Sequence, residues 1–330
     1  MAEKQTELKD LEHVAKQMKW YEVGCILVAN AGDEASLSHS FKYLSKMHHS
    51  TIADVTVALL RDNSSRDTKM LEKLVDFALA SIGHTEIDPD KTNSVVRIQI
   101  AYAVRLVKEG DLRNVESKTI EFLKMPGLSQ ENRREAFFLA FCLYEKLENW
   151  DYAIRFALEC DTSRLDIVSI AKYAVISRSF FNFSRIAKLP NFSRLSPEMR
   201  LLISSLIDGS FVHSTNPPQV PVLSEYTSLI KEKAFMVEIV SICQEHLVTK
   251  TVPFDQFIDA MNLSETNSLI YLLIKALGHR LVTGWIDSER RVFCFDTIMP
   301  RDLSEDEKSQ MKQKFVSLRD RVRMAISIFS

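Results

Sequence analysis

Leu281-Val-Thr-Gly-Trp-Ile286, Asp287-Ser-Glu-Arg290 and Arg291-Val-Phe-Cys-Phe295 are the consecutive stretches whose reading decides the fold. Two short runs rich in β-branched and aromatic residues flank four polar ones, the spacing of a hairpin. Upstream, Glu265 to Leu277 gathers Leu269, Leu273, Ala276 and Leu277 on one helical side. Ser264 is its expected cap and Gly278 its expected left-handed stop. Before that, Thr251-Val-Pro253 is expected to open a shorter helix, because proline is tolerated in a first turn, where the N–H it lacks has no intrahelical partner. The apolar side of this helix is Phe254, Phe257, Ile258 and Met261. Two helices feeding a hairpin is the layout of a winged helix; the same pattern also suits a generic small α/β domain.

Downstream lies one long helical pattern. Ser304 and Glu307 have capping-box spacing, which satisfies two unpaired backbone donors. Glu305, Asp306 and Glu307 crowd the start, while Arg319, Arg321 and Arg323 lie toward the end, the order a helix dipole favours. Met311, Phe315, Leu318, Val322, Ala325 and Phe329 alternate spacings of four and three, a seam suited to packing along another helix. That seam either folds back on its own chain or joins a bundle with other subunits. It is longer than one hairpin domain can cover, which favours the bundle.

Toward the N-terminus, apolar positions recur at helical spacing between short polar turns. Helices are expected from Glu7 to Lys19, over Tyr21 to Ala29, around Phe41 to Met47 and over Ile52 to Leu60. Asp62 to Asp67 reads as a turn, and the next helix should end at Gly83. Glu86 to Asn93 reads as a loop, with Ser94 preceding a helix that ends near Gly110. Pro126-Gly127 closes a helix over Val115 to Leu123, while Ser129, Asn149 and Ser196-Pro197 carry helix-start signals. Ser179-Phe-Phe-Asn-Phe-Ser184 stands out as three aromatics in a polar span, and His213 to Pro221 as a proline-rich break. Helix pair after helix pair, without a fixed-period consensus, predicts a mainly α chain: a right-handed helical-repeat solenoid, then the winged helix, then the long C-terminal helix. The expected division is 1–93 for the N-terminal repeats, 94–250 for the helical part leading to the wing, 251–298 for the winged helix and 299–330 for the terminal helix.

Composition narrows the function. In 330 residues there are only 8 Gly and 9 Pro, and the net charge is -2. Glycine-rich phosphate loops are therefore scarce, and no global field steers the chain to nucleic acid or an anionic membrane. No run is long and apolar enough to cross a bilayer, and Met1 to Asp10 lacks a signal-peptide core. The five cysteines, Cys25, Cys142, Cys160, Cys243 and Cys294, are odd in number and set among apolar residues, as buried free thiols of a reducing, cytosolic or nuclear setting would be. His48-His49 is the only tight histidine pair, read as a surface pair because adjacent helical residues diverge. With no phosphate loop, metalloprotease helix or nucleophile elbow, catalytic, cofactor and metal sites are not expected. Lys275 is the only base in the candidate recognition helix. Arg280, Arg290, Arg291 and Arg301 are expected to pair with acids or a partner subunit, so direct nucleic-acid binding is not expected.

Several segments resemble the PCI-domain family, which scaffolds the proteasome lid, the signalosome and translation initiation factor 3. They are Val95-Val-Arg-Ile-Gln99, Phe180-Phe-Asn-Phe183 with Leu189-Pro-Asn-Phe192, Val252-Pro-Phe-Asp255, Ile274-Lys-Ala-Leu277, Gly284-Trp-Ile-Asp287 and Arg290-Arg-Val292. The family's wing commonly reads lysine-isoleucine-aspartate-glutamine; Ile286-Asp287 match it, while Trp285 and Ser288 depart. The resemblance covers the chain from about Ser94 onward, and the long helical part before it is closer to the initiation-factor branch than to the shorter signalosome one. It implies a non-catalytic scaffold whose winged part and terminal helix meet neighbouring subunits. Those implied are the PCI subunit a and the MPN subunit f of initiation factor 3, with the small ribosomal subunit reached through the complex. The alternatives are a signalosome scaffold and a subunit shared by both. The interface residues are expected to be Leu281, Trp285, Ile286, Arg290 and Arg291 in the wing and Met311, Phe315, Leu318, Val322 and Phe329 in the helix.

Overall fold

The computed structural model describes residues 11–32, 34–61, 68–83, 88–160, 165–209, 211–212 and 220–299, and from the C-terminal stretch residues 309, 312–313, 315–319 and 321–322. The chain is mainly helical with one small sheet, and it divides into two compact units, Met1–Asp166 and Ile167–Ser330. The expected division at 93/94 falls inside a helix.

In the first unit, residues 11–16 are helical. They are followed by α1 (Trp20–Ala29), α2 (Glu34–Tyr43), α3 (His49–Arg61), α4 (Thr68–Ile82), α5 (Pro89–Glu109), α6 (Val115–Lys124), α7 (Gln130–Lys146) and α8 (Trp150–Ala157). Successive helices pack on one another: α1 on α3, α3 on α4 and α5, α5 on α6 and α7, and α7 on α8. Leu27, Leu44, Ile52, Leu59, Leu74 and Ile98 belong to one buried cluster. Gly24 permits the close approach of α1 to α3, since a Cβ there would sit 2.3 Å from Thr51 Cγ2.

Helix α5 starts earlier than expected. Asp88 caps it by accepting from the amides of Asp90 and Lys91, and Pro89 fills the first turn. Ser94 is an interior residue whose hydroxyl donates to the Asp90 carbonyl. The Asp-Pro pair serves a loop and a helix start equally well, which is why the boundary shifts. Ser129, Asn149 and Ser196 cap as expected, accepting from the amides of Asn132, Tyr152 and Met199. Phe41 to Met47 is not one helix: α2 ends at Tyr43 and a 3-10 turn covers Leu44–Lys46. The turn expected over Asp62 to Asp67 and the capping box expected at Ser304 and Glu307 lie outside the described residues.

The second unit contains α9 (Ile167–Ile176), a short α10 (Ser184–Ala187), α11 (Pro197–Asp208), α12 (Thr227–Glu245), β1 (Thr251–Pro253), α13 (Phe254–Met261), α14 (Thr266–Gly278), β2 (Val282–Asp287) and β3 (Val292–Ile298). Helix α12 packs against α9, α11, α13, α14 and the sheet, so it is the centre of this unit. The strands form one antiparallel sheet in the order β1-β3-β2. Phe254, Phe257, Leu269, Leu273, Phe293 and Phe295 close the core beneath it.

Three expectations here are corrected. Thr251–Pro253 is a strand paired with Val292 to Cys294, and Pro253 caps α13 instead of lying in its first turn. Glu265, not Ser264, is the N-cap of α14, without a side-chain cap bond. Gly278 is the last helical residue; the left-handed conformation falls on Arg280, with φ 57°. The hairpin also runs further than expected, to Ile298, with a register shift between Thr283 and Gly284.

No helix among the described residues is long and apolar enough to cross a membrane. Cys142, Cys160 and Cys243 are buried thiols, and burial pushes Cys243 up to about 12. Cys25, read as buried, is exposed on α1.

Candidate interaction surface of the C-terminal unit

Strand β3 lies between β1 and β2, so β2 is an outer strand of the sheet. An outer strand presents unpaired backbone donors and acceptors, the template for strand addition by another chain. Trp285 is 56% exposed on β2, a large apolar ring in water where a soluble surface seldom places one. Ile286 is half-buried against the core. Leu281 is 1% exposed and belongs to that core, so it is unavailable to a partner. It lies just outside β2, where the α14–β2 connection turns it beneath the sheet.

The hairpin arginines are engaged within the chain. The Arg290 amide donates to Asp287 Oδ1 at 2.9 Å, and its guanidinium lies 3.8 Å from the same carboxylate. Arg291, left-handed at φ 54°, places a guanidinium nitrogen 2.9 Å from Asp255 Oδ1. These are exposed pairs, worth little in stability, but each answers a charge locally. On α14, Lys275 bonds Glu232 at 2.7 Å and lies 4.5 Å from the Tyr271 ring centroid. The Glu232 hydrogen bond, then the one to Tyr271, holds the Lys275 amine above its ordinary range.

The outward side of α14 carries Asn267, Ser268, Tyr271 and Ile274, with Tyr271 and Ile274 among the exposed large apolar residues. Sequence reasoning missed this second apolar stripe. The signal was Tyr271 and Ile274 at i, i+3, offset from the buried positions Leu269, Leu273 and Ala276. In the terminal stretch, residues 315–319 and 321–322 are helical, and Phe315, Leu318 and Val322 are 63%, 54% and 49% exposed. Met311 and Phe329 lie outside the described residues.

The histidine pair does not diverge: the rings of His48 and His49 have centroids 3.8 Å apart. His48 precedes α3 and so escapes the helical angle. Their nitrogens meet the hydroxyls of Ser50 and Ser94, and no cluster of three metal-ligating side chains occurs among the described residues. The surface described offers an outer strand and exposed apolar area.

Replacing Trp285 by alanine should leave the melting transition within about 0.5 kcal/mol of the parent, as for other exposed positions, and reduce recovery of partners in co-purification. Thermal melts set beside pull-downs measure both. A large loss of stability with intact partner recovery would make Trp285 a structural residue. Compared with family models and with curated proteins, the chain matches none.

Proposed function

We propose that the chain is a non-catalytic scaffold subunit of translation initiation factor 3 in the cytoplasm, in the role of subunit m. It holds neighbouring subunits through a winged-helix PCI domain and a C-terminal helix, and supports recruitment of the small ribosomal subunit and mRNA. Neighbours under this reading are the PCI subunit a and the MPN subunit f.

The observation that carries the reading is the order helix, strand, helix, helix, strand, strand with sheet order β1-β3-β2. That order supports the winged-helix reading. Its α14, the element that enters the major groove in nucleic-acid-binding relatives, carries one base already held by Glu232 and an uncharged outer side. The wing of this chain is therefore read as a protein-binding device. The pairwise packing of α3 to α8 in the first unit is what a helical-repeat solenoid requires, each helix contacting its sequence neighbours. The exposed Phe315, Leu318 and Val322 supply a seam for a helical bundle.

The test is affinity purification of the tagged chain from its own cells, with mass spectrometry of what accompanies it. The other initiation factor 3 subunits and the small ribosomal subunit are expected. Signalosome subunits alone would overturn the assignment and move the scaffold to cullin deneddylation. Both sets together would make it a shared subunit. The double variant Phe315→Asp, Leu318→Asp should lower partner recovery at least about tenfold, since buried charge at a hot spot costs 2 kcal/mol or more. Its helical circular dichroism should stay that of the parent; collapse of that signal would mean the seam packs internally.

A further inference from the structure

We infer that the aromatic seam of the α7–α8 hairpin is a docking site for an extended protein segment rich in arginine. Helix α8 buries Ala153, Ile154 and Ala157, and α7 buries Ala136, Leu139, Ala140 and Leu143. Phe137, Tyr144, Tyr152 and Phe156 fall outside those sets. They meet instead as a stack of nearly parallel rings. Phe137 and Phe156 are 6.1 Å apart at 26°, Phe156 and Tyr144 5.7 Å at 12°, and Tyr144 and Tyr152 5.0 Å at 29°. Tyr152 is 47% exposed, and the other three rings are half-buried.

Carboxylates accompany these rings. Burial, then the Glu116 carboxylate on α6, holds the Tyr144 hydroxyl above its ordinary range. Glu148 is exposed in the turn between α7 and α8, midway in sequence between Tyr144 and Tyr152. Among the described residues neither Glu116 nor Glu148 is taken up in an ion pair. From Glu145 to Glu159 there are four acids, Glu145, Glu148, Asp151 and Glu159, against two bases, Lys146 and Arg155. Rings alone would suit any apolar side chain, and acids alone any cation; the two together select the occupant. A guanidinium is planar, weakly hydrated and rich in donors, so it stacks on a ring while bonding a carboxylate. An ammonium is a compact, strongly hydrated charge and gains less from the ring face. Nucleic acid and anionic membrane are repelled by the same acids.

The test is fluorescence anisotropy of the full chain at low salt with labelled peptides of equal length, alternating Arg-Gly, Lys-Gly or citrulline-Gly. Arg-Gly is expected to bind, and Lys-Gly at least about fivefold more weakly. Citrulline-Gly, which keeps the plane and lacks the charge, should not bind measurably. Tyr152→Leu keeps apolar bulk and removes the ring; it should weaken Arg-Gly binding at least about fivefold. Glu116→Gln with Glu148→Gln should weaken it and reduce its salt dependence. Both changes are at exposed positions and should leave the melting transition parental. If Tyr152→Leu melts lower, the carboxylate pair decides. Failure of Arg-Gly to bind overturns the inference, as does equal affinity for Lys-Gly or full affinity in the carboxylate pair. So does full affinity in Tyr152→Leu, or binding of single-stranded RNA that this variant abolishes. Each readout uses the isolated chain, so it is independent of which complex the chain joins.

Discussion

Gly284→Val unfolds the hairpin: amide exchange across β2 and β3 should rise by orders of magnitude while helices α3 to α8 keep their protection. The reason is a backbone contact. A Cβ at position 284 would sit 2.1 Å from the Cys294 carbonyl oxygen and 2.7 Å from the Phe295 Cα. A flexible side chain could move aside, but these atoms belong to β3, which is bonded on both edges, to β1 and to β2. Gly284 also marks the bulge, since Thr283 pairs with Thr297 while Gly284 pairs with Phe295, skipping Asp296. Bulges of this kind bring one backbone close to another, and glycine is what fits there. Overpacking in a core costs about 1–3 kcal/mol when side chains can give; against fixed backbone, at least about 3 kcal/mol is expected. At 2–4 °C per kcal/mol for a unit of this size, that is about 6–12 °C in the transition of the second unit. Gly284→Ala already carries the offending atom and should share most of the loss. If the alanine variant melts within about 0.5 kcal/mol of the parent, with β2 still protected, the close approach is not what sets this residue.

How much of this was legible in the sequence depended on how local each cause was. Ser129, Asn149 and Ser196 each cap within three residues, bonding Asn132, Tyr152 and Met199, so a short window contains the whole argument. The hairpin was legible for the same reason. Strand β1 was not: Thr251–Pro253 is three residues long, and its state is decided by Val292 to Cys294 across two intervening helices. Read locally, Pro253 suits a helix start, and the pairing overrides it. Of the residues expected at an interface in the hairpin, Trp285 is exposed, whereas Leu281 is buried. Leu281 falls one residue before β2 begins, and period-2 patterning does not fix where a strand begins. The stripe of Tyr271 and Ile274 on α14 went unread because one buried side had already been found for that helix.

The aromatic run Phe180 to Phe183 was conspicuous but inexplicable in sequence, because its partner lies about fifty positions later. Lys233 is buried in the middle of α12, with its Nζ bonded to the Ala174 and Phe180 carbonyls and 5.4 and 5.1 Å from the Phe181 and Phe183 ring centroids. Ala174 is in the last turn of α9, where carbonyls lack helical partners and a cation is favoured. One side chain thus closes a helix end, fixes the turn after it, and gives two rings a cationic neighbour. Lys233→Met keeps most of the volume and removes the donor. Two buried carbonyls lose a bond, at about 1–3 kcal/mol each, so a loss of about 2–6 kcal/mol is expected. Lys233→Ala loses the same bonds, adds a cavity and should cost more still. Both are large against the 5–15 kcal/mol that holds a domain together. Urea unfolding followed by circular dichroism measures them, and the transition of the second unit should shift while that of the first stays. If Lys233→Met equals the parent, the amine contributes no net stability, and the aromatic turn is held by apolar packing alone.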